Sequence, residues 1–169
     1  MREISVEELN ENVINLIGKD WMLITAGNID KYNTMTASWG SMGFLWGKPV
    51  VTIFIRPQRY TYGFVEKSDF FTLSFFAEKF RKALSLCGTK SGRDIDKAKE
   101  AGITPYAPTE DCVAFKEARL VLKCKKLYKS LLSENSFIDK SILPQWYKDG
   151  DLHYMYVAEI ENIWEKINE

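Results

Sequence analysis

The chain has 169 residues, 46% hydrophobic and 14% aromatic, which suits one domain over 1–169 with a substantial core and excludes disorder. Lys plus Arg and Asp plus Glu both number 23, so the formal charge is zero and no broad positive field exists to gather nucleic acid or an anionic membrane. Three scattered cysteines without a CxxC and one histidine argue against disulfides or zinc and suit a reducing cytoplasm, and no run approaches the ~20 apolar residues of a membrane span.

The N-terminal "MREISVEELNENVINLIG" is too acidic for a signal peptide. Ser5 and Glu8 fit a capping box, and Leu9, Val13, Ile14 and Ile17 follow at helical spacing, predicting one amphipathic helix. "DWMLITAG" and "NTMTASWGS" read as strands around the turn-rich "GNIDKYN". "PVVTIFI" and "FFTLSFF" are strands apolar on both faces. "EKFRKALSLCG" and "SGRDIDKAKEAG" read as helices. "ARLVLKCKKLY" alternates, with Ala118, Leu120, Leu122 and Cys124 inward and Val121, Lys123 and Lys125 outward. "LHYMYVAEIENIW" makes a long final strand with Glu159 and Glu161 on one face. Strands outnumber helices and most neighbours lack a helix between them. The fold class is therefore mainly β with peripheral helices, an antiparallel barrel rather than a doubly wound sheet.

Three stretches carry candidate chemistry. In "CGTKSGRD", Ser91 to Asp94 match a capping box before "DIDKAKEAG", and Lys90 and Arg93 flank a helix start left open by Gly92. A helix N-terminus carries about half a positive charge, so this arrangement suits a phosphate monoester; a solvated cap is the plain alternative. Neither a Walker A loop nor GxGxxG is present, which excludes a P-loop or Rossmann site. In "NTMTASWG", period two puts Asn33, Met35, Ala37 and Trp39 on one face and the hydroxyls of Thr34, Thr36 and Ser38 on the other. A planar, heteroatom-rich ligand suits such a wall, although threonine also simply favours strands. In "FIRPQRYTYGF", Arg59 precedes a short helix with Thr61 as its expected cap.

Taken together and in this order, "NTMTASWG", "FIRPQRYTYGFVEKSDFFTLSFF" and "KALSLCGTKSGRD" resemble the flavin reductase family of FMN-binding split barrels, which includes the flavoredoxins. The resemblance runs from about Asp20 to Asp94, with an echo in "HYMYVAEI"; 129–147 carries no family motif. It implies a six-stranded split barrel that pairs as a homodimer and holds FMN without a covalent bond near the interface. Carried over by position, Asn33, Met35, Thr36, Ala37, Ser38 and Trp39 would contact the isoalloxazine and ribityl portion. Arg59, Thr61, Lys90, Ser91, Gly92 and Arg93 would face the phosphate.

The function so implied is transfer of hydride or electrons from NAD(P)H to flavin or another acceptor, with no catalytic side chain because the flavin carries the chemistry. Thr36 and Ser38 are candidates to stabilise the charge of the reduced ring. An electron carrier served by a redox partner protein, and a flavin-free barrel binding another phosphate or heme, are the alternatives. "GFLWGKP" lies either at a subunit interface or in the monomer core. "WGSMG" lacks the first glycine of a nucleophile elbow, which disfavours a hydrolase.

Overall fold

The computed structural model describes residues 1–167. Strands β1 (Arg2–Ile4), β2 (Met22–Asn28), β3 (Lys31–Ala37), β4 (Gly40–Leu45), β5 (Lys48–Ile55) and β6 (Phe70–Phe75) fill the first half. The strands β7 (Pro105–Tyr106), β8 (Ala114–Phe115), β9 (Leu120–Leu131) and β10 (Tyr154–Glu165) follow. The helices are α1 (Val13–Asn15), α2 (Tyr60–Lys67), α3 (Arg81–Thr89), α4 (Lys97–Ala101) and α5 (Ile142–Trp146).

Eight strands form one antiparallel sheet in the order β3-β2-β6-β9-β10-β5-β4, with β1 added alongside β10. This is the antiparallel barrel expected from the sequence, enlarged beyond six strands. The enlargement arises partly because β10 is long enough to pair with β5 through 154–159 and with β1 through 163–165. β7 and β8 make a separate small hairpin.

Strand periodicity explains two apolar layers. Within β2, Ile24 faces the barrel core while its neighbour Leu23 faces the opposite side. In β9, Leu120 and Leu122 point inward while Val121 joins the second layer. Phe71, Leu73 and Phe75 of β6 and Tyr156 of β10 fill the barrel; Leu84 and Cys87 of α3 and Phe115 cover its outer face. Each such side chain contributes about 1.5–3 kcal/mol through burial. Truncating a core aromatic such as Phe71 to Ala would cost about 3–5 kcal/mol.

That second layer overturns one sequence expectation. Val121 and Lys123 are not outward and solvated: they are buried beneath the outer layer. Lys123 pairs there with Asp111 at 2.9 Å and lies over the Phe70 ring at 4.2 Å. The opening helix is also not continuous. The Ser5–Glu8 capping box is present, but it starts only a 3-10 turn over Val6–Glu8. Asn12 is extended and its side chain accepts from the Asn15 amide, starting a new helical segment, and Ile14 is exposed. "NTMTASWGS" is likewise two strands, because the chain leaves the sheet at Ser38–Trp39 and re-enters as β4. Among the described residues no helix is long and apolar enough to cross a membrane.

Candidate functional site

β3 anchors the site. Two of the three hydroxyls in the row it begins, Thr34 and Thr36, are not offered to a ligand. Thr34 pairs with Thr25 at 2.8 Å, and Thr36 donates to the Leu84 carbonyl at 2.5 Å. α3 packs over this face, and Gly88 permits it, since a Cβ there would lie 3.3 Å from that of Thr36. The expectation that the Thr36 hydroxyl stabilises reduced-ring charge is therefore revised: its proton already serves α3.

Asn33 is buried and donates to the Thr61 hydroxyl at 2.7 Å. Thr61 is thus not the cap of α2. It lies one residue inside the helix, and Arg59 occupies the capping position without a side-chain bond. Asn33 stands behind the groove, where Gly92 packs on its amide so closely that a Cβ would meet Oδ1 at 1.9 Å.

The second helix reading also changes. Residues 91–95 form turns, in which Ser91 accepts from the Arg93 amide through Oγ and from the Asp94 and Ile95 amides through its carbonyl. The helix starts only at Lys97, capped by Asp96, whose side chain accepts from the Lys99 amide. Extended backbone at Lys90 and the side-chain cap at Asp96 outcompete a start at Ser91. Any anion at this loop would be held by side chains and turn amides rather than by a helix end.

Three adjoining clefts connect these parts. The first, about 170 Å³, is lined by Met35 to Trp39 together with Phe54, Arg56, Arg59 and His153. Another, about 240 Å³, shares Thr36, Ala37 and Ser38 with it and reaches Gly88 and Thr89. The third, about 190 Å³, shares Arg59 with the first and Gly88 and Thr89 with the second, and adds Thr61, Lys90, Ser91, Arg93 and Lys97. So β3 and Trp39 lie at one end of a continuous groove and Lys90 and Arg93 at the other.

The third cleft concentrates charge. Arg59, Lys90, Arg93 and Lys97 line it, and no carboxylate does. None of the four pairs with an acid among the described residues. Lys97 is buried and donates to the Thr34 and Cys87 carbonyls, each at 2.8 Å. Desolvation, and then the nearby Arg59, push its ammonium down to about 8. Arg59 is lowered by burial and by Arg56. The Arg93 guanidinium lies 4.7 Å from the Tyr60 ring centroid, which fixes its direction. Lys97 was missed in the sequence because "DIDKAKEAG" reads as an ordinary polar helix face.

The aromatic end was also only partly legible. Trp39 packs edge-on against Trp146 at 5.1 Å and lies tilted against His153 at 5.2 Å. His153 is buried, and its Nδ1 shares a hydrogen bond of 2.9 Å with the Tyr147 hydroxyl. Burial, and secondarily Arg56, push its imidazole down to about 4, so it is neutral at neutral pH. Arg56 pairs with Asp151 and donates to the Trp146 carbonyl at 2.9 Å, pinning the motif-free segment 129–147 onto this end.

Among curated protein sequences none matches significantly. Solved structures do. An FMN-binding protein from Thermus thermophilus is 19% identical, with 98% of this chain and 82% of that one covered at a TM-score of 0.68. A flavoredoxin from Methanosarcina acetivorans is 21% identical, with 96% and 76% covered at 0.66. The Streptomyces globisporus C-1027 NADH:FAD oxidoreductase SgcE6 is 14% identical, with 87% and 75% covered at 0.64. These likenesses show the fold. The model of the flavin reductase like domain matches residues 15–169, nearly the whole length, and the chain belongs to that family.

Proposed function

We propose that this chain is a single-domain FMN-binding oxidoreductase that takes hydride from NAD(P)H and passes electrons to flavin or another acceptor. One observation carries the reading: four cations and no carboxylate line a cleft that continues into a wall of β3 backbone and indole. The fit to FMN is chemical. A phosphate dianion requires cations and hydroxyls, and Arg59, Thr61, Lys90, Ser91 and Arg93 supply them. A flat tricyclic ring requires an apolar wall with backbone polar groups along its edge, and Met35 to Trp39 supply that. Asn33 and Gly92 act behind the contact surface, Asn33 by fixing Thr61 and Gly92 by letting the basic loop close on β3.

A bound flavin supplies the redox chemistry; the chain supplies position and electrostatics. Arg59 borders both the ring cleft and the phosphate cleft, so one side chain orients both ends. Because Arg56 at the ring end is paired with Asp151 and neutral His153 adds no cation, the unpaired positive charge is concentrated at the phosphate end. Docking is therefore directional.

Phe44 and Trp46 of "GFLWGKP" are 75% and 59% exposed, and Tyr128 and Leu131 are exposed as well. Trp46 and Tyr128 lie 6.1 Å apart. This exposure supports the interface alternative over monomer core packing, with a second copy of the chain as partner. The three buried thiols fit a reducing cytoplasm.

The deciding experiment is a visible spectrum of the purified protein reconstituted with FMN. A yellow protein that bleaches on anaerobic addition of NADH or NADPH is the expected result; failure to retain FMN overturns the reading. Trp146 and His153 narrow the ring end, which favours a second reading as an electron carrier served by a protein partner. Rapid nicotinamide oxidation in a stopped-flow trace would exclude a pure carrier.

A further inference from the structure

Between β9 and β10 the chain makes an excursion over residues 133–152, with no strand and only a 3-10 turn at Glu134–Ser136 and the short α5. Its neck is closed, because the Leu132 amide donates to the His153 carbonyl at 3.0 Å and continues the β9–β10 ladder. Beyond that neck the backbone bonds are local: Ser136 donates to Ser133, Phe137 to Glu134, Ile142 to Asp139, Tyr147 to Leu143 and Gly150 to Tyr147. Within 133–152 Tyr147 alone is buried, and Ile138 is fully exposed. A segment with so little buried surface and a closed neck can open while the barrel stays folded.

Its contacts with the barrel converge on the ring cleft. Asp151 accepts from Arg56 and, at 2.8 Å, from Gln58. Trp146 offers its carbonyl to Arg56 at 2.9 Å and sets its indole edge-on to Trp39 at 5.1 Å. Tyr147 lies 5.5 Å from the Arg56 guanidinium and shares a 2.9 Å hydrogen bond with His153. Trp39, Arg56 and His153 all line the cleft beside β3, whereas no residue of 133–152 does, so the excursion holds three of its walls from behind. That cleft is the smallest of the three in the groove, about 170 Å³, and lies below the range of about 300–1,000 Å³ typical of small-molecule sites. A flat ring with a second reactant stacked on it requires these walls to part.

We propose that residues 133–152 form a lid, latched on Arg56 by Asp151 and on Trp39 by Trp146, which sets the size of the second reactant that reaches the ring. Small reactants pass the closed lid; bulky ones pass only when Arg56 and Trp39 are released. The selecting role rests on the flavin reading above, while the latch itself does not. Specificity for the second reactant is thereby assigned to Asp151 and Trp146, two residues outside the groove.

The experiment compares wild type with a variant carrying Asp151→Asn and Trp146→Ala. Loaded with FMN and followed anaerobically by stopped flow, the variant should be reduced by NADH at least about fivefold faster, while reduction by dithionite, a small ion, stays within about twofold. Without ligand, hydrogen exchange at the Tyr147 and Gly150 amides should rise at least about tenfold while amides of β9 and β10 keep their protection. Unchanged or slower reduction by NADH, or equal acceleration by both reductants, overturns the selecting lid. Exchange that stays at the wild-type level, or that spreads into β9 and β10, overturns the latch. Wild type that retains no FMN overturns the flavin reading and the selecting role with it, and the exchange result still decides the latch.

Discussion

Gly92→Ala is the substitution whose outcome the packing fixes most closely. The new methyl would stand 1.9 Å from Asn33 Oδ1, 2.9 Å from its Cγ and 3.3 Å from Tyr60 Cδ1. Asn33 is only 6% exposed and cannot swing aside without releasing the Thr61 hydroxyl it holds at 2.7 Å. Overpacking of this kind costs about 1–3 kcal/mol, and loss of the hydrogen bond adds about 1 kcal/mol. A loss of about 2–4 kcal/mol lowers Tm by about 4–16 °C in a domain of this size. If instead the loop gives way, Lys90 and Arg93 shift from the phosphate cleft and FMN affinity falls about tenfold or more. Adding Asn33→Ala removes the colliding amide, so the double variant should be less damaged than the sum of the singles by at least about 1 kcal/mol. Thermal melts without ligand and FMN titrations of all four proteins complete the cycle. Wild-type melting and affinity in Gly92→Ala, or strict additivity in the double variant, would falsify the account of how the loop seats on β3.

Other expectations follow from the same geometry. Arg93→Ala should weaken FMN by about 1.5–3 kcal/mol and leave riboflavin, which lacks the phosphate, nearly unchanged; equal losses for both would place Arg93 elsewhere. Lys97 is lowered to about 8 in the free protein, and a phosphate favours its charged form. FMN affinity should therefore fall as pH rises through about 8, by up to tenfold per unit, and Lys97→Met should flatten that slope while lowering affinity at pH 7. His153 has its folded value pushed down to about 4 from 6.5, so the unfolded chain binds the extra proton between these values. Stability should be full above about 6.5 and decline by about 2–3 kcal/mol as pH falls toward 4, and urea melts of His153→Phe should lack that component. Trp46→Ser with Phe44→Ser should shift a concentration-dependent dimer toward monomer in sedimentation without lowering monomer Tm; an unchanged profile would place the interface elsewhere.

The short apolar run "FFTLSFF" and the long β-branched and aromatic stretch "LHYMYVAEIENIW" were enough to locate β6 and β10. Alternation failed at Lys123, because pattern cannot reveal that a second layer, anchored by Leu84 and Phe115, covers the outward face. Local rules failed where two caps competed. Ser91 had the right spacing, but Asp96 won the helix start, and Asn12 likewise divided the first helix. The donor set Lys90, Ser91, Arg93 and Arg59 was visible as composition, whereas Lys97 and His153 join the candidate site only through a contact 63 positions away to Thr34 and a ring tilted against Trp39. Nor could the pattern reveal that the side-chain N–H of Asn33 is spent on the Thr61 hydroxyl.

All three cysteines are free and buried, and desolvation raises their thiols, Cys87 to about 11. Thiolate is the reactive form, so the native protein should be nearly silent to maleimides at neutral pH. Labelling would then count openings of the layers that enclose these thiols. A dye on an added surface cysteine would, by the same token, mark one chosen position against an inert background.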